Sequence, residues 1–342
     1  MFPYDFRTVN VEPWRERLPY DPLPPLLEAG DAALEYFARR DLLDEDVPPV
    51  SCLWDLPGAR RILRPQLADG SWPAKSDDHP AIHYHLIETW RQFRYLVEMY
   101  GFTRADPRAE RAAEFLFSCQ TPEGDIRGFL ANQYATYYTG AILSLLIQAG
   151  YADDPRLEKG MQWLLSMRQD DGGWSIPILT RYLDWATQYR LTSEWAEPLQ
   201  PDRSQPFSHN WTGMVLRAFA AHPAYRASDA ARVGAELLKS RFFQPDAYTS
   251  YQAASYWTRF DYPFWWNHLV SALDSITRIG VSSEDAQIQK ALAWLAGHQQ
   301  PDGLWRLDNA RPPAQDKQTA KTRQTRLWVG LAVCRVLRRL LG

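Results

Sequence analysis

The stretch WLAGHQQPDGLW, from Trp294 to Trp305, decides the fold. It ends an apolar helical pattern, turns on Pro301, Asp302 and Gly303, and closes on a large aromatic residue. Working outward, the phrase recurs as RPQLADGSW (Arg64 to Trp72), SCQTPEGDI (Ser118 to Ile126) and SMRQDDGGW (Ser166 to Trp174), with a worn copy, SRFFQPDAY, from Ser240 to Tyr248. With Gln66, Gln120, Gln169, Gln244 and Gln299 as markers, the spacings are 54, 49, 75 and 55 residues. A period near 50 marks a repeat architecture in which no unit buries its apolar face alone. One closed or stacked array is expected.

Between phrases, two kinds of helix alternate. Those before a phrase begin with Pro near the first turn and carry a charged face; they are predicted outside, at Leu56 to Arg64, Pro107 to Cys119, Asp154 to Met167, Ser228 to Ser240 and Ser283 to Gly297. Those after a phrase are apolar around more of their circumference. They are predicted inside, at Pro80 to Gly101, Tyr134 to Gly150, His209 to Ala221, Pro263 to Gly280 and Thr322 to Leu341, with a helix from Pro25 to Arg40 as a sixth. No stretch has a strand pattern, so the expected fold class is all-α, an α/α toroid of the (α/α)6 type. Residues 1–23, with four prolines, read as an extended arm, and 24–342 as a single toroid domain with an insertion at 175–207. In the insertion, Ile178, Leu179, Tyr182, Leu183, Ala186 and Tyr189 fall on one helical stripe. That stripe suits a lid, a peripheral membrane contact through 176–195, or a helix completing the ring.

Composition excludes several classes. A formal charge of -3 offers no basic face for nucleic acid. Cys52, Cys119 and Cys334 are an odd number in no CxxC pairing, which predicts buried thiols in a reducing cytoplasm rather than a disulfide frame. No run of 18 uncharged apolar residues or signal-type N-terminus is present, so neither spanning nor secretion is expected. Fifteen Trp and 17 Tyr must face either a core or a ligand.

The phrase Q-x-x-D-G-x-W after an outer helix resembles the QW repeat of squalene and oxidosqualene cyclases and the related repeats of protein prenyltransferase beta subunits. The resemblance covers about residues 55–341, is carried best by Gln66 to Trp72 and Gln299 to Trp305, and suggests a single-domain bacterial-type squalene cyclase-like protein. It implies that each Gln amide bridges helix-end backbone groups while the Trp packs against it, as a planar amide can where helix ends leave unpaired groups. It also implies an isoprenoid or other apolar ligand, with or without an anionic head, in a central hydrophobic cavity, handled by terpene cyclase or prenyl transfer chemistry. The chain departs from both families: it has no D-x-D-D acid motif, only Asp77-Asp78, Asp153-Asp154, Asp170-Asp171 and Asp44-Glu45-Asp46, and its cysteines do not fit the prenyltransferase zinc triad.

If every inner helix starts just after a phrase, these starts should surround one opening. That collects Asp78, His83, His85, Tyr137, His209 and His268 as candidate catalytic residues, and Tyr134, Trp211, Trp265, Trp266, Asn267 and Arg326 as candidate ligand-binding residues, Arg326 holding an anionic group. Helix N-termini favour anions and keep histidine neutral. His79 and His83, at i, i+4, suit a divalent metal joined by His209 or His268, but no dense ligand spacing accompanies them and no cofactor is expected. The aromatics from Tyr256 to Trp266 suit cation-π stabilisation, sugar stacking or core filling. Two other readings stand beside the first: a glycosidase or polysaccharide lyase using Asp78, Asp261 or Asp308, and a non-catalytic binding or scaffold protein.

Overall fold

Four of the outer helices start where a short polar side chain meets a proline or small residues. Asp106 accepts from the backbone N–H groups of Arg108 and Ala109, Asp154 from Arg156, Ser228 from Ala231, and Asp285 from Gln287 and Ile288; such caps satisfy donors that the first helical turn leaves free. The computed structural model describes residues 13–74, 81–248, 252–313 and 319–342. Its helices are α1 (Leu23–Leu27), α2 (Ala32–Leu42), α3 (Pro57–Leu63), α4 (Tyr84–Tyr100), α5 (Pro107–Ser118), α6 (Thr136–Leu146), α7 (Pro155–Ser166), α8 (Pro177–Thr180), α9 (Trp185–Ser193), α10 (His209–Ala221), α11 (Asp229–Ser240), α12 (Leu269–Ile279), α13 (Ala286–Gly297) and α14 (Ala320–Leu341).

The packing closes on itself. α2 packs on α4, α4 on α6, α6 on α10, α10 on α12, α12 on α14, and α14 on α2. Around this ring, α3 and α5 lie on α4, α7 on α6, α11 on α10 and α12, and α1 on α2 and α14. The protein is therefore an all-α toroid of helix pairs. The inner helices are apolar for this reason: α6 is buried at every position, and Gly140 lets it approach α10 so closely that a Cβ there would stand 2.7 Å from Val215 Cα.

The phrases staple neighbouring pairs. Gln66 Nε2 donates to Gly70 O (3.1 Å) in its own loop and to Arg108 O (2.9 Å) in the first turn of α5. Gln120 does the same with Gly124 O and Arg156 O of α7. Gln299 reaches Gly303 O, and both the O and N of Tyr20, 279 residues away, so the last phrase fastens the ring to its beginning. Trp72, Trp174 and Trp305 each donate Nε1 to a carbonyl ten residues back, at 2.7 Å. The loops also tie inward: the N–H groups of Trp72, Ile126 and Trp174 donate to Thr89, Thr139 and Thr212 on inner helices. Gly70 is required, since its φ is +90° and a Cβ would stand 2.1 Å from Arg111 O.

Three expectations need correction. The Pro25 to Arg40 helix is two helices, broken at Gly30 with Asp31 capping the second. The Pro263 to Gly280 helix begins only at Leu269, because Asp261 and the His268 side chain hold residues 260–268 in a loop. Of the predicted buried thiols, Cys334 is buried, but Cys119 is only partly so and Cys52 is exposed. Residues 1–12 of the expected arm lie outside the described residues; Arg15–Arg17 form a short 3-10 turn.

Candidate functional site

The loop 260–268 enters the ring. Tyr262 stacks on Trp328 of α14 and donates its hydroxyl to Glu98 O of α4. Arg94 of α4 and Arg217 of α10 both donate to Phe264 O, at 3.1 and 3.0 Å, and Arg217 also holds Trp265 O and Trp266 O at 3.2 and 2.7 Å. Beyond it, Trp265 lies 4.7 Å from Trp90, while Trp266 contacts Tyr137, Tyr138 and Trp211. The loop thus touches four inner helices and divides the lumen. On the side of the inner N-termini, aromatic rings pack against one another; on the side of the C-termini, a cavity of about 750 Å³ opens.

That cavity is lined with charge. Its arginines are Arg40, Arg217, Arg278, Arg335, Arg338 and Arg339; its acids are Asp41, Asp44, Glu98 and Asp274. Phe37, Val50, Val97, Phe102 and Phe264 form an apolar wall. Most of the charges are paired. Arg335 and Arg40 meet Asp41 (2.8 and 2.6 Å), Arg338 meets Asp44, and Arg278 and Arg339 meet Asp274 (3.2 and 2.5 Å). Burial opposes ionisation of Asp274 and Asp41, but the adjacent guanidinium groups prevail and hold both below the usual carboxylate range. Glu98 is different. Among the described residues it has no ion pair, its Oε2 is sealed from solvent with no hydrogen-bond partner, and burial pushes its carboxyl up to about 7 despite Arg94 and Arg217 nearby. Burial likewise moves Arg217 down to about 10 and raises the Tyr262 phenol.

The sequence-predicted residues do not gather at this cavity. Asp78 and His79 lie outside the described residues. His83 caps α4, accepting from Leu86 N, and with exposed His85 borders a separate groove of about 520 Å³ beside Arg127, Asn132 and Trp195. Tyr137 packs, with tilted rings, against Trp211 at 4.4 Å and Tyr138 at 4.2 Å between centroids, and both Tyr137 and Trp211 are buried. His209 is buried against Trp257, 4.6 Å between centroids, and desolvation pushes its imidazole down to about 4. His268 is a buried cap: Nδ1 accepts from Ser271 N and Nε2 lies 3.1 Å from Asp261 Oδ1. Asn267 donates to His209 O. Tyr134 donates to Glu123. Arg326, expected to hold an anion, instead binds Trp305 O and Asp302. Trp265 and Trp266 stay partly exposed at the aromatic end.

The reason is local. His83 and His268 cap their own helices, so their rings turn back onto them, while His209 follows the cap Ser208 and packs inward on Trp257. The residues missed are Glu98, Arg217, Asp274 and Arg335. For Glu98 and Arg217 the signal was a lone charge inside an apolar inner helix, as in YLVEMY and GMVLRAF, which costs too much to bury without a purpose or a partner.

Residues 88–192, from α4 through α9, match the family model of the squalene-hopene cyclase C-terminal domain. Over those residues, under a third of the chain, the sequence is similar to that domain. No curated protein matches it. Among solved structures, similar chains are a protein from Actinoplanes (19% identity, 85% of this chain and 87% of that one, TM-score 0.43) and the type II terpene cyclase MstE from Scytonema without ligand (14%, 84% and 98%, 0.34). A variant of MstE in complex with geranylgeranyl dihydroxybenzoate as substrate is also similar (13%, 84% and 96%, 0.33).

Proposed function

We propose that this squalene cyclase-like toroid, taken as one domain over residues 24–342 with 175–207 inserted, binds an isoprenoid or similar apolar molecule bearing an anionic head. The chamber is the central cavity at the inner C-termini. One observation carries the reading: six arginines and an apolar wall of Phe37, Val50, Val97, Phe102 and Phe264 share that cavity. Guanidinium groups recognise phosphate and carboxylate oxygens, and the apolar wall suits a tail. The match to the squalene-hopene cyclase domain supports an isoprenoid class. The proposal commits to binding, since the chain lacks D-x-D-D.

A thermal-shift series tests it with geranylgeranyl diphosphate, squalene and a neutral oligosaccharide. A ligand at about 100 times its Kd adds about 2.7 kcal/mol to stability. The diphosphate is expected to raise Tm by several degrees in the wild type and much less in Arg335→Met. A shift with the oligosaccharide and none with the diphosphate sinks the reading.

The proposal extends to the insertion. Tyr182, Trp185, Tyr189 and Trp195 are 64%, 78%, 53% and 70% exposed on it, and such amphipathic rings favour a lipid interface. No helix among the described residues is long and apolar enough to cross a membrane, so the contact is peripheral.

A further inference from the structure

We infer that Glu98 makes the cavity a proton-coupled oxyanion site: a phosphate, sulfonate or carboxylate head enters only as the Glu98 carboxyl keeps or takes up a proton. This rests on the proposed anion binding and adds what governs it.

Ion pairing sets Glu98 apart from the other acids of the cavity. Asp44 faces one arginine within ion-pair distance, and Asp41 and Asp274 face two each. Glu98 faces none among the described residues, although it lines the same cavity. Its neighbour Arg94, one turn back on α4, spends Nη1 on Phe264 O, and Arg217 of α10 spends both terminal nitrogens on the loop carbonyls. The guanidinium groups closest in charge are thus aimed at the backbone, and one oxygen of Glu98 is sealed without a donor. The backbone N–H of Phe264 and the nearby Arg94 and Arg217 favour the charged form, but burial outweighs them, and with one oxygen sealed from water and any donor the neutral acid is favoured.

An arriving anion strengthens that preference. It brings negative charge among Arg40, Arg335, Arg338 and Arg339, near enough for like-charge repulsion to disfavour a carboxylate at Glu98. The neutral acid can instead donate its O–H to a ligand oxygen. Binding and protonation are therefore linked, and by reciprocity affinity falls as pH strips the proton away.

Among the described residues, the charged groups that act on Glu98 do not blur the readout between pH 6 and 8. On α4 there is Arg94; on α10, Arg217, which titrates near 10. From the loop, Tyr262 is raised by burial. From α12, Asp274 is held far down by Arg278 and by Arg339 of α14. Arg335 of α14 is paired with Asp41 of α2, whose carboxyl is also lowered. α6 contributes Ser144 and Gln148, which do not titrate.

The test is calorimetric titration with octane-1-sulfonate, whose head does not titrate in this range, at pH 6, 7 and 8 and constant ionic strength, in buffers of different ionisation heat. With a carboxyl titrating near 7, Kd is expected to rise about tenfold from pH 6 to 8, with close to one proton taken up per ligand at pH 8. Glu98→Gln, neutral and nearly isosteric, should bind with less than about twofold change over the same range and no proton uptake. Wild-type binding with no proton uptake at pH 8 overturns the inference and leaves the proposed function standing, and this arm needs no variant to fold. A slope that survives in Glu98→Gln also overturns it. Absence of sulfonate binding at every pH, in both proteins, removes the proposed anion site and the inference together.

Discussion

The glutamines of the repeat phrases behave as residues with one structural task. Gln299 spends its whole amide on backbone, donating to Tyr20 O and Gly303 O at 2.9 Å and accepting from Tyr20 N at 3.0 Å. Truncation leaves these buried groups unpaired, at about 1–3 kcal/mol for each that water cannot reach. Gln299→Ala should therefore lower the unfolding free energy by roughly 2–4 kcal/mol, whereas Gln244→Ala, whose amide makes one exposed bond to Ser240 O, should stay within about 0.5 kcal/mol. Urea denaturation of both decides the matter: equal losses would mean that the Gln role was misread. This part of the molecule was legible because turn chemistry and an amide at fixed spacing are written locally. Glu98 and Arg217 were not, since each is an isolated charge whose meaning depends on a loop arriving from residues 260–268.

At the scale of elements, the alternation of apolar and charged helices located the ring well: the inner helix His209–Ala221 was read to its ends. What periodicity cannot show is which end of the ring stays open. The inner helix expected from Pro263 to Gly280 took in Phe264, Trp265 and Trp266, yet Phe264 and the preceding Tyr262 fold into the lumen under Arg94 and Arg217, which puts the cavity at the opposite end from the one expected. The insertion shows the same limit. Its apolar stripe was visible, but Ile178 is buried while Tyr182 and Tyr189 are exposed, together with the unforeseen Trp185 and Trp195. Arg181 and Arg190 are balanced nearby by Asp184 and Glu194, so attachment should depend on the rings rather than on anionic lipid. In flotation assays with zwitterionic vesicles, the triple variant Trp185→Ser, Tyr189→Ser, Trp195→Ser should lose about tenfold or more in partitioning. Equal partitioning of variant and wild type would free the insertion from any membrane role.

Across the whole molecule, two buried groups set opposing pH dependences. Glu98 titrates near 7 in the folded protein against 4.5 for the free side chain. Between those values the native state holds more protons than the unfolded chain, so stability falls as pH rises. His209 is pushed from 6.5 to about 4. There the unfolded chain holds more protons, so stability rises with pH, and the contribution is lost as pH falls toward 4. From pH 4.5 to 6.5 the two slopes oppose each other, each about 1.4 kcal/mol per pH unit. The wild-type profile should therefore be nearly flat across that interval, although neither group is silent, and should fall away below it as Asp41 and Asp274, both depressed by their arginines, take up protons. Removing one member exposes the other. Glu98→Gln should gain on the order of 2–3 kcal/mol of stability between pH 4.5 and 6.5, with the largest advantage over wild type at pH 7 and above. The measurement is urea unfolding followed by tryptophan fluorescence at half-unit pH steps. A Glu98→Gln curve running parallel to wild type would mean that the carboxyl at the cavity floor is ionised like any surface acid, and the sealed, unpaired geometry around it would carry no energetic weight.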